Sequence, residues 1–176
     1  MDSNRSNLIL VGMSGTGKST IGRIVANKLE YAFFDTDAEI EKRTGVQISW
    51  IFELEGECKF RERESEVLRD LTRRNRIVLA TGGGIVLRES NRDLLNKRGQ
   101  VVCLTAPIAD LVERIGSART RPVLQHEESI ESALVRMQSE RNPLYDSVTD
   151  VSFDTYGHSK LAVALDIVAW YSKRSI

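Results

Sequence analysis

Short apolar runs rich in β-branched residues alternate with longer stretches in which apolar positions recur every three to four residues. The short runs predict strands, and the longer period predicts the helices between them. Five strands are predicted, at residues 7–11, 31–34, 76–80, 100–106 and 150–155. Because these strands are apolar at nearly every position, they favour a parallel sheet covered by helices on both faces. The predicted fold class is α/β, with three layers.

The helical pattern also predicts how the other segments are divided. Residues 37–75 are polar with a helical period, and Gly45 and Gly56 divide them into three pieces. In the last helix, apolar residues at spacings of three and four predict one buried face, formed by Leu161, Ala164, Leu165 and Val168.

The polar segment at 116–128 contains Pro122, which opposes a continuous helix. A loop of this length inside a domain is often a lid over a binding site, although an ordinary connector is the alternative. The segment is therefore a candidate lid.

Size and composition set broad limits on function. A chain of 176 residues is expected to form one domain, over 1–176, and it carries 25 basic and 25 acidic residues. Without an overall charge bias, nucleic acid and membrane surfaces are not expected partners. Two unpaired cysteines, Cys58 and Cys103, and no apparent signal segment favour a cytoplasmic location. No long apolar patch suggests a dimer, so a monomer is expected.

The most informative segment is GMSGTGKST, residues 12–20, which lies between the first predicted strand and a predicted helix. It matches the pattern G-x-x-x-x-G-K-[ST] of loops that bind nucleoside triphosphates. Glycines let the backbone turn its N–H groups toward phosphate, the lysine supplies a cation, and the serine hydroxyl can bind Mg²⁺. The candidate nucleotide-binding residues here are Gly12, Gly15, Thr16, Gly17, Lys18, Ser19 and Thr20.

Many ATPases and GTPases hold their metal with an aspartate at the end of the third strand. Here that strand ends in Thr81 and three glycines, and the nearest carboxylates follow the second strand, at Asp35 and Asp37. Mg²⁺ keeps much of its hydration shell, so either carboxylate can bind it through water. The alternative is that Asp37 caps the following helix. Glycines 82–84, bare of side chains, leave room for a compact acceptor molecule at the backbone.

Six segments together resemble the shikimate kinase family: GMSGTGKST, DTDAEIEKRTG, IFELEGECKFRERE, ATGGG, RTRPVL and SERNPLY. The resemblance runs from about residue 7 to residue 170. It implies a P-loop kinase fold of the nucleoside-monophosphate-kinase type, with the sheet order 2-3-1-4-5 and a mobile lid. It also implies transfer of the γ-phosphoryl group of ATP, with Mg²⁺, to the 3-hydroxyl of shikimate.

The resemblance implies roles for individual residues on the acceptor side. Asp37 would hold the shikimate hydroxyls, and Asp35, with Ser19, would support the metal. The substrate carboxylate would lie between Arg61 and Arg141. The ring hydroxyls would be contacted by Gly83 and Gly84.

On the nucleotide side, the resemblance implies that Arg114 lies against the adenine and that Arg121 reaches the phosphates from the lid. The catalytic set would then be Lys18, Asp37 and Arg121.

The residues alone leave other interpretations open. Arg61 lies in the charged stretch KFRERESEVLRDLTRRNR, whose spacing is typical of a solvated helix face, and Arg141 precedes Asn-Pro, where it could stabilise a helix end. At the level of the whole chain, the alternatives are another small-molecule kinase on the same scaffold, such as a gluconate kinase, or a catalytically silent ATP-binding module.

Overall fold

A computed structural model of the chain describes residues 6–116 and 129–174, which are built around a single five-stranded sheet. The strands are β1 (Asn7–Val11), β2 (Ala32–Asp35), β3 (Ile77–Ala80), β4 (Gly99–Thr105) and β5 (Val151–Asp154). All neighbouring strands are parallel, and they lie in the order β2-β3-β1-β4-β5. The predicted α/β class and strand order are confirmed.

Seven α-helices connect or flank these strands in the described part of the chain. They are α1 (Lys18–Leu29), α2 (Thr36–Thr44), α3 (Ile48–Leu71), α4 (Glu89–Arg98), α5 (Ile108–Gly116), α6 (Ile130–Asp146) and α7 (Lys160–Ser172). The predicted breaks are both present, since Gly45 ends α2 and Gly56 interrupts α3 with φ 80° and ψ 171°. The candidate lid, with Arg121, lies outside the described residues from residue 117 onward.

Two hydrophobic layers sandwich the sheet, and β1 contributes to both. Leu8 and Leu10 belong to the cluster that includes residues of α1 and α7, whereas Ile9 and Val11 belong to the one that includes residues of α2 to α6. All four are fully buried. The alternation follows from the two-residue period of a strand and places the carboxyl end of the central strand between the two layers.

Two sequence predictions are wrong in detail. On α7, Leu161 and Leu165 are 51% and 46% exposed, and the buried residues are Val163, Ala164, Ile167 and Tyr171. This helix is apolar nearly all round, so spacing alone could not tell its inner face from its outer one. Helix α6 also continues beyond Arg141 and through Pro143 to Asp146.

Within residues 6–116 and 129–174, no helix combines the length and apolar character needed to cross a lipid bilayer.

Candidate functional site

The loop between β1 and α1 has the geometry of an anion cradle. Gly15 and Gly17 both have φ near +89°, which glycine adopts at little cost. Among the described residues, the backbone N–H groups of Ser14, Gly15 and Gly17 donate no hydrogen bond, so they are available to a ligand. Gly12 lies behind the cradle, where any side chain would collide with the Leu104 carbonyl on β4.

Lys18 begins helix α1 with its ammonium group folded back onto the loop. Its Nζ donates hydrogen bonds of 2.8 Å to the carbonyl oxygens of Gly12 and Met13. The side chain is thus held beside the cradle, close to the positive end of the helix.

A cavity of about 410 Å³ extends from this loop across the carboxyl ends of the strands. Its volume lies in the range typical of small-molecule sites. The predicted residues that line it are Gly15, Thr16, Gly17, Lys18, Ser19, Thr20, Asp35, Asp37, Gly83 and Arg114. The segments that follow β1, β2 and β3 therefore meet at one edge of the sheet.

Asp35 connects the second strand to the phosphate loop. Its Oδ2 accepts a hydrogen bond of 2.5 Å from the Ser19 hydroxyl, and its Oδ1 accepts from the backbone N–H groups of Asp37 and Ala38. Asp35 is therefore the N-cap of α2, which corrects the alternative that Asp37 caps this helix. The cap leaves the Asp37 carboxylate in the first turn, facing the cavity.

The adjacent Ser19 and Asp35 oxygens are the hard donors that Mg²⁺ prefers. The described residues contain no group of three or more His, Cys, Asp or Glu side chains that could hold a metal. This donor set nevertheless fits Mg²⁺, which is commonly bound by one or two side chains together with substrate phosphates.

The three glycines after β3 are closely surrounded by side chains from other elements. A methyl group on Gly82 would lie 2.7 Å from Glu64 Oε1 and 2.8 Å from Asp37 Oδ1. On Gly84 it would overlap the Arg61 guanidinium group. A side chain at either position would have to displace these charged groups, so glycine here lets them approach the main chain.

Arg61 is 8% exposed, so the interpretation of its charged stretch as a solvated face is wrong for this residue. Its Nη1 donates a hydrogen bond of 2.8 Å to Oε2 of Glu64, and its Nε and Nη2 contact the half-exposed Glu57. Glu64 is fully buried, and this burial raises the pKa of its carboxyl.

Arg141 is equally enclosed, at 7% exposure, and its Nε has no hydrogen-bond partner among the described residues. A methyl group on Gly83 would lie 3.6 Å from Arg141 Nη1 and 3.1 Å from Ser14 Oγ. The glycine segment is therefore the meeting point of the phosphate loop and two buried guanidinium groups, Arg141 on the Gly83 side and Arg61 on the Gly84 side.

Arg114 joins the phosphate loop to the segment that follows β5. Its Nη1 donates to the carbonyl oxygen of Gly15 at 3.2 Å and to the hydroxyl of Thr155 at 3.1 Å. Its Nη2 forms an ion pair with Asp110. These contacts fix the guanidinium group at one end of the cavity, where His158 and Lys160 also line the wall.

Sequence reasoning missed several residues of the site. Glu64 looks like any other acid in a charged helix, because its burial is set by packing rather than by local sequence. Its spacing of three from Arg61 was the available signal. The proximity of Tyr145 and Ser14 to the glycine segment could not be predicted from their own segments, since the glycines are distant in sequence.

A family profile described as "Shikimate kinase" matches residues 14–172. A shikimate kinase of Pseudoalteromonas atlantica is 48% identical over 164 residues, which are 93% of this chain and 95% of that protein. One from Colwellia psychrerythraea is 46% identical with the same coverage.

Among solved structures, the shikimate kinase of Acinetobacter baumannii in complex with shikimate superposes with a TM-score of 0.93 and 39% identity. The match covers 99% of this chain and 97% of that one. The similarity therefore extends over sequence and fold together.

Proposed function

This chain belongs to the shikimate kinase family, and we propose that it transfers the γ-phosphoryl group of ATP to the 3-hydroxyl of shikimate. The observation that carries the proposal is the pair of buried arginines, Arg61 and Arg141, beside the glycine segment and next to the phosphate loop. Two enclosed guanidinium groups suit a small carboxylic acid, because each planar group can make paired charge-assisted hydrogen bonds to a carboxylate.

On the nucleotide side, the free backbone N–H groups of the loop would bind the β- and γ-phosphates, and the Lys18 ammonium would add a positive charge. Arg114 would pack against the adenine at the end of the cavity that Thr155, His158 and Lys160 also line. Ser19 and Asp35 would hold Mg²⁺, Asp35 through water. Bound there, the ion would neutralise part of the phosphate charge.

On the acceptor side, Asp37 would bind the reacting hydroxyl and orient its oxygen toward the γ-phosphorus. The reaction forms a bond from that oxygen to phosphorus and breaks the bond from phosphorus to the oxygen that bridges the β- and γ-phosphates, which leaves with ADP. The hydroxyl proton passes to the Asp37 carboxylate. Because phosphoryl transfer proceeds through a loose transition state, this alignment contributes as much as proton removal.

Arg121 lies outside the described residues, so its role remains a prediction. From a closed lid it would neutralise charge on the moving phosphoryl group while water is excluded. A monomeric state, a cytoplasmic location and a single domain with a substrate-binding segment over about 37–75 are likewise proposed.

The test is a coupled assay of ADP release with shikimate, gluconate and nucleoside monophosphates as separate acceptors, and with no acceptor. We expect release with shikimate alone. Preference for gluconate would favour the related small-molecule kinase, and ATP binding without turnover on any acceptor would favour a silent module.

The assay needs a variant that ties the activity to this chain. Lys18→Ala is expected to lose about two to three decades in rate, because it removes a preorganised charge. Lys28→Ala, an exposed lysine on the same helix, is the matched control and should retain full activity.

A further inference from the structure

Tyr145 on α6 is 2% exposed, and its hydroxyl donates a hydrogen bond to the carbonyl oxygen of Gly83. Burial raises the pKa of this hydroxyl, so it remains protonated and keeps its donor role at neutral pH. The bond joins helix α6 to the glycine segment across 62 positions of sequence. No other described side chain donates a hydrogen bond to this carbonyl group.

The carbonyl oxygens of the three glycines have different partners. Those of Gly82 and Gly84 accept from the backbone N–H groups of Ile85 and Leu87 in the turn that follows. Only the Gly83 carbonyl depends on a side chain. Since the peptide unit is planar and trans, fixing this carbonyl also fixes the Gly84 N–H, which points the opposite way.

The N–H groups of Gly83 and Gly84 donate no hydrogen bond within residues 6–116 and 129–174. Both glycines lie close to a buried arginine, since a methyl group on Gly83 would lie 3.6 Å from Arg141 Nη1 and one on Gly84 would overlap the Arg61 guanidinium group. Backbone donors placed close to two guanidinium groups complete a cradle for one carboxylate. The orientation of this peptide therefore decides whether its N–H contributes.

We propose that Tyr145 is a positioning residue that holds the Gly83–Gly84 peptide so that its N–H points at the carboxylate of the acceptor. This inference rests on the proposed function, and it assigns the Gly84 N–H to the acceptor carboxylate rather than to a ring hydroxyl, which is the contact that the family resemblance implies. Tyr145 is one turn beyond Arg141 on α6, so a single helix both supplies one arginine and sets the peptide beside it.

The test compares Tyr145→Phe with Tyr171→Phe. Tyr171 is also 2% exposed, and its hydroxyl also donates to a backbone carbonyl, that of Ser6 at 2.9 Å, but it belongs to α7 in the other hydrophobic layer. Both changes remove one phenol-to-carbonyl hydrogen bond and should lower the free energy of unfolding by similar amounts, about 1 kcal/mol.

We expect Tyr145→Phe to raise the KM for shikimate about tenfold and to leave the KM for ATP within about twofold, whereas Tyr171→Phe changes neither. A shikimate KM that stays within about twofold of the parent, or one that rises equally in both variants, would overturn the proposal.

A second acceptor distinguishes a positioning role of Tyr145 from a general effect of the substitution on the structure of the site. With a shikimate analogue in which the carboxylate is reduced to a primary alcohol, Tyr145→Phe should leave kcat/KM unchanged, since no carboxylate remains to be bound. An equal loss on both acceptors would instead assign Tyr145 a purely structural role. Failure of the parent protein to phosphorylate shikimate would reject the proposed function itself, a result that the parent assay reports independently of either variant.

Discussion

Glu64 accepts a 2.8 Å hydrogen bond from Arg61 three residues earlier on α3, and both side chains are enclosed by the protein. An arginine buried without a counter-ion would be costly, and a carboxylate buried alone equally so. The pair makes each burial tolerable and fixes the plane of the guanidinium group against Gly84. Under the proposed function, Glu64 would therefore set how Arg61 presents its remaining donors to the substrate carboxylate.

Replacing Glu64 with glutamine keeps its shape but removes the charge that holds Arg61. We expect kcat/KM for shikimate to fall about tenfold or more, with the KM for ATP unchanged, because losing one partner of a buried pair leaves the other poorly compensated. Steady-state kinetics with each substrate varied in turn measure both constants. The control is Glu57→Gln, which alters a half-exposed contact of the same arginine, and equal losses in the two variants would contradict the assignment.

A methyl group at Gly84 would occupy the space of the Arg61 guanidinium group. Gly84 has φ −98°, which alanine also adopts, so Gly84→Ala tests close approach rather than backbone strain. We expect shikimate binding to weaken by at least about tenfold, measured by calorimetry. Gly116→Ala is the control, since a methyl group there meets no atom of residues 6–116 and 129–174 within 4 Å. Unchanged shikimate affinity in Gly84→Ala would show that Arg61 does not need this position.

Asp37→Asn removes the charge assigned to the reacting hydroxyl. We expect kcat to fall by about two to three decades, as for other preorganised charge-stabilising groups, while the affinity for ATP stays nearly intact. Single-turnover kinetics and nucleotide binding give the two quantities separately. Asp70→Asn, an exposed acid that pairs with Arg43 on the surface, should retain full turnover. Near-normal turnover in Asp37→Asn would end the role given to this carboxylate.

Arg114→Gln breaks the contacts that join the phosphate loop to Thr155. We predict that the KM for ATP rises about tenfold and that the KM for shikimate stays within about twofold, because the change lies at the nucleotide end of the cavity. Arg73→Gln, an exposed arginine paired with Asp70, serves as the matched control. A rise confined to the shikimate KM would place the adenine elsewhere.

The two thiols should differ strongly in reactivity. Cys58 is exposed, whereas burial raises the pKa of Cys103 to about 11, so very little of it is the reactive thiolate at pH 8. A thiol-specific disulfide reagent at pH 8 should therefore modify one thiol rapidly and the second only after unfolding. Cys58→Ser should show no rapid phase, and a rapid phase persisting in that variant would contradict the burial of Cys103.

The phosphate loop and the strand positions could be predicted from the sequence because both depend on local sequence pattern. Each end of the five strands lies within one residue of its predicted position, since β-branched apolar runs are a strong signal for strands. The inner face of α7 was predicted wrongly because Leu161 and Leu165 are as apolar as the residues that are buried. Packing against other elements decides which of two apolar faces is buried, and the sequence of one helix does not contain that information.

The proposed acceptor site could not be predicted in the same way, because it depends on contacts between residues that are far apart in the sequence. Arg61 and Arg141 could be assigned only by family resemblance, because Arg61 lies in a charged helical stretch and Arg141 precedes Asn-Pro, where it could stabilise a helix end. Their burial depends on contacts with the glycine segment, and the bond between Tyr145 and Gly83 spans 62 positions. Periodicity and spacing cannot report contacts over such separations.

The ammonium group of Lys18 donates hydrogen bonds to the carbonyl oxygens of Gly12 and Met13. Nucleotide binding through Lys18 would therefore exchange these hydrogen bonds for contacts with phosphate. Under the proposed function, an incoming triphosphate would draw the ammonium group away from these two carbonyl oxygens, so the affinity for ATP would reflect the difference in free energy between the two states. A triphosphate that also accepts hydrogen bonds from the backbone N–H groups of Ser14, Gly15 and Gly17 would offset the loss of these two bonds.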